Sequence, residues 1–128
     1  MKTKARAIDD IVNAQKKNGI VVNRNPSYHL PKGCPRIDLE IITPNTRELY
    51  LILDLGKGKL RENDVLSGVR SLEYAGKIIR ESGDCKEIKL FLDCINTTEQ
   101  DLPPQLALLA AYESSGRYRR SEAAIPTR

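Results

Sequence analysis

Two aspartates, Asp38 and Asp54, interrupt the apolar runs RIDLEI and ELYLILDLG, where an unpaired carboxylate is expensive to bury. Carboxylates brought together from neighbouring strands suit Mg²⁺ or Mn²⁺, which take oxygen ligands and keep positions for water and substrate phosphate. A dication held there stabilises charge building on a phosphate and lowers the pKa of a bound water. Lys57 and Lys59, in GKGK, follow Asp54 closely in sequence. Glu40 lies two residues beyond Asp38 and so shares its face in a regular strand. The blander assignment for all these acids is a rim or strand position that still reaches water.

Other residues suit phosphate contact. GKGK precedes a helical pattern and its glycines let backbone approach an anion, although it lacks the spacing of a nucleotide-binding P-loop. Lys57, Lys59 and Arg61 are the expected nucleic-acid contacts there. GRYRR interleaves Tyr118 with Arg117, Arg119 and Arg120, a combination that grips backbone phosphate and stacks a base, or serves as an ordinary basic tail. His29, the only histidine, sits in the Pro-rich loop PSYHLPKGCP, and Cys34, Cys85 and Cys94 form no CxxC pair, so a structural zinc site lacks its ligands. Cys85 and Cys94 bracket a buried strand as small apolar residues.

The elements that must hold these groups follow from periodicity. Ile8, Ile11 and Val12 mark one face of a helix over 4–18, stopped by Gly19. GIVVNRN (19–25) reads as a short strand. RIDLEIIT (36–43) alternates Ile37, Leu39 and Ile41 with Arg36, Asp38 and Glu40, a strand with one wet face. PNTR turns the chain, and ELYLILDLG (48–56) returns as a strand nearer the sheet centre. Val65, Val69, Leu72, Gly76 and Ile79 define a helix over 62–81; KEIKLFLDCI (86–95) is a buried strand, and QLALLAAYE (105–113) a last short helix. Strand, long helix, strand is a crossover and implies parallel pairing beside an antiparallel hairpin. The expected fold is a single α/β domain over 1–115, a mixed sheet in helix-strand-strand-strand-helix-strand order plus a C-terminal helix, with 116–128 a basic, flexible tail.

At 128 residues, 40% hydrophobic and 30% charged, the chain has the composition of one globular domain. No apolar run is long enough to span a bilayer, and the N-terminus leads into an amphipathic segment, so a cytoplasmic protein with no membrane partner is expected. The net charge of +4 is uneven: residues 1–36 hold eight basic and two acidic groups, 37–115 hold nine and fourteen, and 116–128 hold four and one. Basic ends around an acidic middle suit a polyanion gripped by the termini with a cation at the centre.

Residues 36–95, through RIDLEI, ELYLILDLGKGKL, ENDVLSGVRSLEYAGKII and KEIKLFLDCI, resemble the PD-(D/E)XK nuclease superfamily, in its branch of RecB-type and archaeal endonuclease domains. The resemblance implies a restriction-endonuclease-like fold acting on DNA or RNA by metal-dependent phosphodiester hydrolysis. It makes Asp38 and Asp54 catalytic metal ligands for Mg²⁺ or Mn²⁺, Lys57 or Lys59 the catalytic cation that orients the attacking water or steadies the charge, and Glu40, Asp9 or Asp10 an auxiliary ligand. Homodimers are common among such small domains. The family's lysine falls at Gly56, one place before Lys57, and Ser67 stands where a glutamine is common. A one-residue slip turns Lys57 to the opposite face unless a bulge at Gly56 or Gly58 restores it. Two other readings stay open: an inactive nuclease-like binding or assembly module, and a HicA-like RNA-cleaving toxin with a double-stranded-RNA-binding-like fold using His29.

Overall fold

The computed structural model describes residues 2–15, 19–54, 62–84, 86–96, 112–113 and 117–123, with residues 62, 63, 112–113 and 117–123 as backbone only. The elements in chain order are α1 (Lys4–Ala14), β1 (Val21–Arg24), β2 (Leu39–Ile42), β3 (Thr46–Asp54), α2 (Glu62–Glu81), β4 (Glu87–Ile95), β5 (Tyr112–Glu113) and β6 (Arg117–Ala123). They form one α/β domain around a six-stranded mixed sheet of order β1-β2-β3-β4-β6-β5. β1, β2 and β3 pair antiparallel, and β3 and β4 pair parallel across the α2 crossover, as the strand-helix-strand pattern requires.

β3 sits between β2 and β4, and its alternation feeds two cores. Leu49 and Leu51 join Val65, Val69, Leu72, Ala75 and Ile79 of α2, while Tyr50 and Ile52 join Ala7 and Ile8 of α1. On the α1 side Tyr50 stacks on Phe91 of β4, ring centroids 4.6 Å apart. On the other, α2 comes close through glycine: a Cβ at Gly68 would meet Leu92 at 3.1 Å.

β2 departs from the expected alternation. Ile37 packs in the α2-side core and Leu39 in the α1-side core, although positions two apart share a face in a regular strand. The backbone gives the reason: the Asp38 amide donates to Tyr50 O at 2.9 Å, while Leu39 is the register partner of Tyr50. Two residues thus oppose one, the pattern of a β-bulge, and the alternation resets there. The expected wet face of this strand is also absent, since Asp38 and Glu40 are only 5% and 3% exposed.

The loop before the bulge is pinned at two points. Ser71 Oγ of α2 donates to Pro35 O at 2.7 Å. Farther back, Glu40 accepts from Tyr28 Oη, from Asn23 Nδ2 at 2.8 Å and from Arg47 Nε at 3.0 Å, while Arg47 Nη1 reaches Asp84 at 3.1 Å. Burial alone would raise the Glu40 pKa, but the Tyr28 and Asn23 hydrogen bonds and the Arg47 charge outweigh it and hold the carboxyl below its usual range. Burial and the adjacent carboxylate push the Tyr28 phenol up, so it keeps its proton and donates.

Two expectations about the C-terminal region change. Arg117–Ala123, read as part of a loose basic tail, form β6 against β4. Tyr112–Glu113, at the end of the expected last helix, form β5; residues 105–111 lie outside the described residues. Pairing with an already buried strand supplies order that a polar sequence does not advertise. No helix among the described residues is long and apolar enough to cross a membrane.

Arg47→Met strips the guanidinium from two carboxylates, one of them buried, and is expected to lower unfolding free energy at neutral pH by about 2–4 kcal/mol in urea denaturation. Because Glu40 and Asp84 both have depressed pKa values, their contribution is complete above the unfolded carboxylate range and lost as pH falls through the folded values. The wild-type stability curve should therefore fall below about pH 5, and that of Arg47→Met should be flatter there.

Candidate functional site

Asp38 lies at the bulge because its carboxylate takes over a strand's hydrogen-bonding role. Oδ2 accepts from the Ile52 amide at 2.7 Å, so that β3 keeps a partner where the regular β2 ladder has not yet begun. Oδ1 meets Lys4 Nζ of α1 at 2.9 Å. Both carboxylate oxygens of this buried group are thus engaged, one by an amide and one by an ammonium, which is what an anion needs to be buried.

Asp54 ends β3, two residues beyond Ile52, and continues the alternation of Tyr50 and Ile52 toward the α1 side. Its Oδ1 accepts from Asn96 Nδ2 at 2.9 Å. Asn96 follows β4 with φ +59°, a left-handed conformation asparagine tolerates better than most residues. Its Nδ2 also donates to Lys2 O at 2.7 Å, and its Oδ1 accepts from the Lys2 amide at 2.8 Å. The fold therefore puts Asp38 and Asp54 on one side of the sheet, with Asp38 bonded to the strand that carries Asp54. At the same strand end a cleft of about 460 Å³ opens toward α2, lined by Gly33, Cys34, Pro35, Leu53, Asp54, Asp64 and Ser67.

Other expected members are not brought to this pair. Glu40 was expected on the face of Asp38, but the bulge sends it to the opposite side, into the Tyr28 and Arg47 network. Asp9 is paired with Arg24 at 2.9 Å, and Asp10 with Lys2 at 3.0 Å and Arg6 at 3.4 Å, on exposed parts of α1. Among the described residues no three His, Cys, Asp or Glu cluster as a metal site. Lys57, Lys59 and Arg61, and with them Gly56, lie outside the described residues; Arg117, Arg119 and Arg120 have their backbone in β6, opposite Asp93, Phe91 and Leu90. His29 is exposed in the loop after β1.

Lys4 and Asn96 were missed from sequence. One signal was present: Thr3 caps α1, accepting from the Arg6 amide at 3.1 Å, and the first turn carries basic but no acidic residues. A cation there opposes the helix dipole, so a compensating anion outside the helix was to be sought.

No protein-family model matches the chain, and no match is found among curated proteins or solved structures.

Asp38→Ala and Asp38→Asn separate the two jobs of this side chain. Asparagine can still accept from the Ile52 amide, whereas alanine leaves that N–H unpaired. The alanine variant should be less stable than the asparagine variant by about 1–3 kcal/mol in chemical denaturation.

Proposed function

We propose that this chain is a nuclease-like domain that acts on nucleic acid and hydrolyses phosphodiester bonds with Mg²⁺ or Mn²⁺ at the Asp38–Asp54 edge. The observation that carries the reading is the arrangement of two carboxylates, one just before β2 and one at the end of β3, on one side of the sheet, Asp38 being hydrogen-bonded at 2.7 Å to the amide two residues before Asp54. The order of strands and the flanking of the sheet by α1 and α2 agree with the PD-(D/E)XK resemblance of residues 36–95.

The donor chemistry fits a hard dication. Carboxylate oxygens are its preferred ligands, and the Lys4 ammonium 2.9 Å from Asp38 marks a position where positive charge is favoured. When bound, the metal would stabilise charge on the phosphate and lower the pKa of a bound water. Asp38 and Asp54 would hold it, Asn96 fixes the Asp54 carboxyl, and Lys57 or Lys59 would meet the phosphate. The uneven charge, with eight basic groups in residues 1–36, favours a polyanionic substrate.

A second reading, a binding or assembly module without hydrolysis, is favoured by one feature: both oxygens of Asp38 already have partners within the chain. The double-stranded-RNA-binding-like alternative gains nothing from the fold, because β4 lies inside the sheet between β3 and β6 rather than outside a three-stranded unit.

Single- and double-stranded DNA and RNA oligonucleotides incubated with Mg²⁺ or Mn²⁺ decide between the first two. The nuclease reading expects cleavage that EDTA abolishes and Asp54→Asn lowers by about 100-fold or more, as loss of several kcal/mol of metal-borne stabilisation requires. Oligonucleotide binding with no cleavage under any metal, unchanged in Asp54→Asn, would support the binding module instead.

A further inference from the structure

The segment Lys2–Lys4 is linked to both acids of the candidate site, to Asp38 directly through Lys4 and to Asp54 only through Asn96. Lys4 Nζ lies 2.9 Å from Asp38 Oδ1. The backbone of Lys2 is gripped on both sides by the Asn96 side chain, at 2.7 and 2.8 Å, and the same Asn96 amide nitrogen donates to Asp54 at 2.9 Å. Between them Thr3 caps α1.

The two contacts to Asp38 differ in how easily they are given up. The Ile52 amide belongs to a buried strand and cannot leave without breaking β3. Lys4 is half-exposed, on a flexible four-carbon stem, and its ammonium regains water when it swings away. An exposed partner of a buried carboxylate is a weakly held ion that another cation can replace. A dication ligated by Asp38 competes with Lys4 for Oδ1, the oxygen that points away from the Ile52 amide.

We propose that Lys4 is the built-in counter-cation of the Asp38–Asp54 edge and that Lys2–Lys4 form a strap which a divalent metal displaces on binding. The inference rests on the metal-dependent reading above and adds to it a regulatory role for the N-terminal segment. Lys4 gives the buried Asp38 carboxyl a partner without metal, and by competing for the same oxygen it sets metal affinity. Asn96 transmits the exchange, because the amide that holds Lys2 also holds Asp54.

The test is Mn²⁺ binding, read by the loss of the free aqua-ion signal in electron paramagnetic resonance, on the full chain and on Lys4→Met, together with hydrogen exchange of residues 2–6. The expected result is that Lys4→Met binds Mn²⁺ about fivefold tighter or more, the scale of one partly exposed ion pair. Mn²⁺ should also speed amide exchange in residues 2–6 of the wild type. Wild-type binding that Lys4→Met leaves unchanged or weakens, with the exchange of residues 2–6 unaffected by metal, overturns the strap while leaving the metal site standing. No Mn²⁺ binding by either protein removes the metal reading and the strap with it. Should Lys4→Met fail to fold, metal-dependent exchange in the wild type decides the question alone.

Discussion

The fold turns on a side chain doing a strand's job: the Asp38 carboxylate accepts the Ile52 amide where the regular ladder between β2 and β3 has not begun. A buried strand N–H without an acceptor is costly, so some group had to fill that place. Filling it with a carboxylate brings a negative charge inside the sheet and obliges a cation to follow. The bulge that accompanies it sends Ile37 to one core and Leu39 to the other, so both faces of the chain entering β2 are packed within three residues.

That irregularity separates two charge systems. On the α2 side Glu40 has Tyr28, Asn23 and Arg47 as partners, and Arg47 is tied onward to Asp84. Such a network holds loop to sheet and leaves little room for exchange. On the α1 side Asp38 has a buried backbone amide and a half-exposed lysine as partners, and Asp54 is held through an asparagine amide. The two charge systems are thus placed on opposite faces of the sheet by the bulge that precedes β2.

What sequence periodicity reveals and what it hides divide along the same line. The helix over 62–81 is read to the residue, because Val65, Val69, Leu72 and Ile79 keep their spacing throughout and all face the core. The parallel pairing of β3 and β4 follows from the length of that crossover. The bulge is invisible because alternation over six residues looks the same whether or not one step is repeated. Glu40 reads as solvent-facing because its neutralising partners lie 7, 12 and 17 positions away, and no local pattern joins them. The Lys2–Asn96 contact spans 94 positions and belongs to tertiary structure alone. β6 was hidden by its own charge: four of its seven residues are Arg or Glu, a composition that reads as tail until a partner strand is supplied.

We propose that Asp38 and Asp54 share a cation on the α1 side of the sheet. Anomalous diffraction from crystals grown with Mn²⁺ measures it most directly. A manganese peak bridging the two carboxylates, with Lys4 turned away from Asp38, is the predicted result. Manganese bound elsewhere, or the two carboxyl groups found on opposite sides of the sheet, would contradict it.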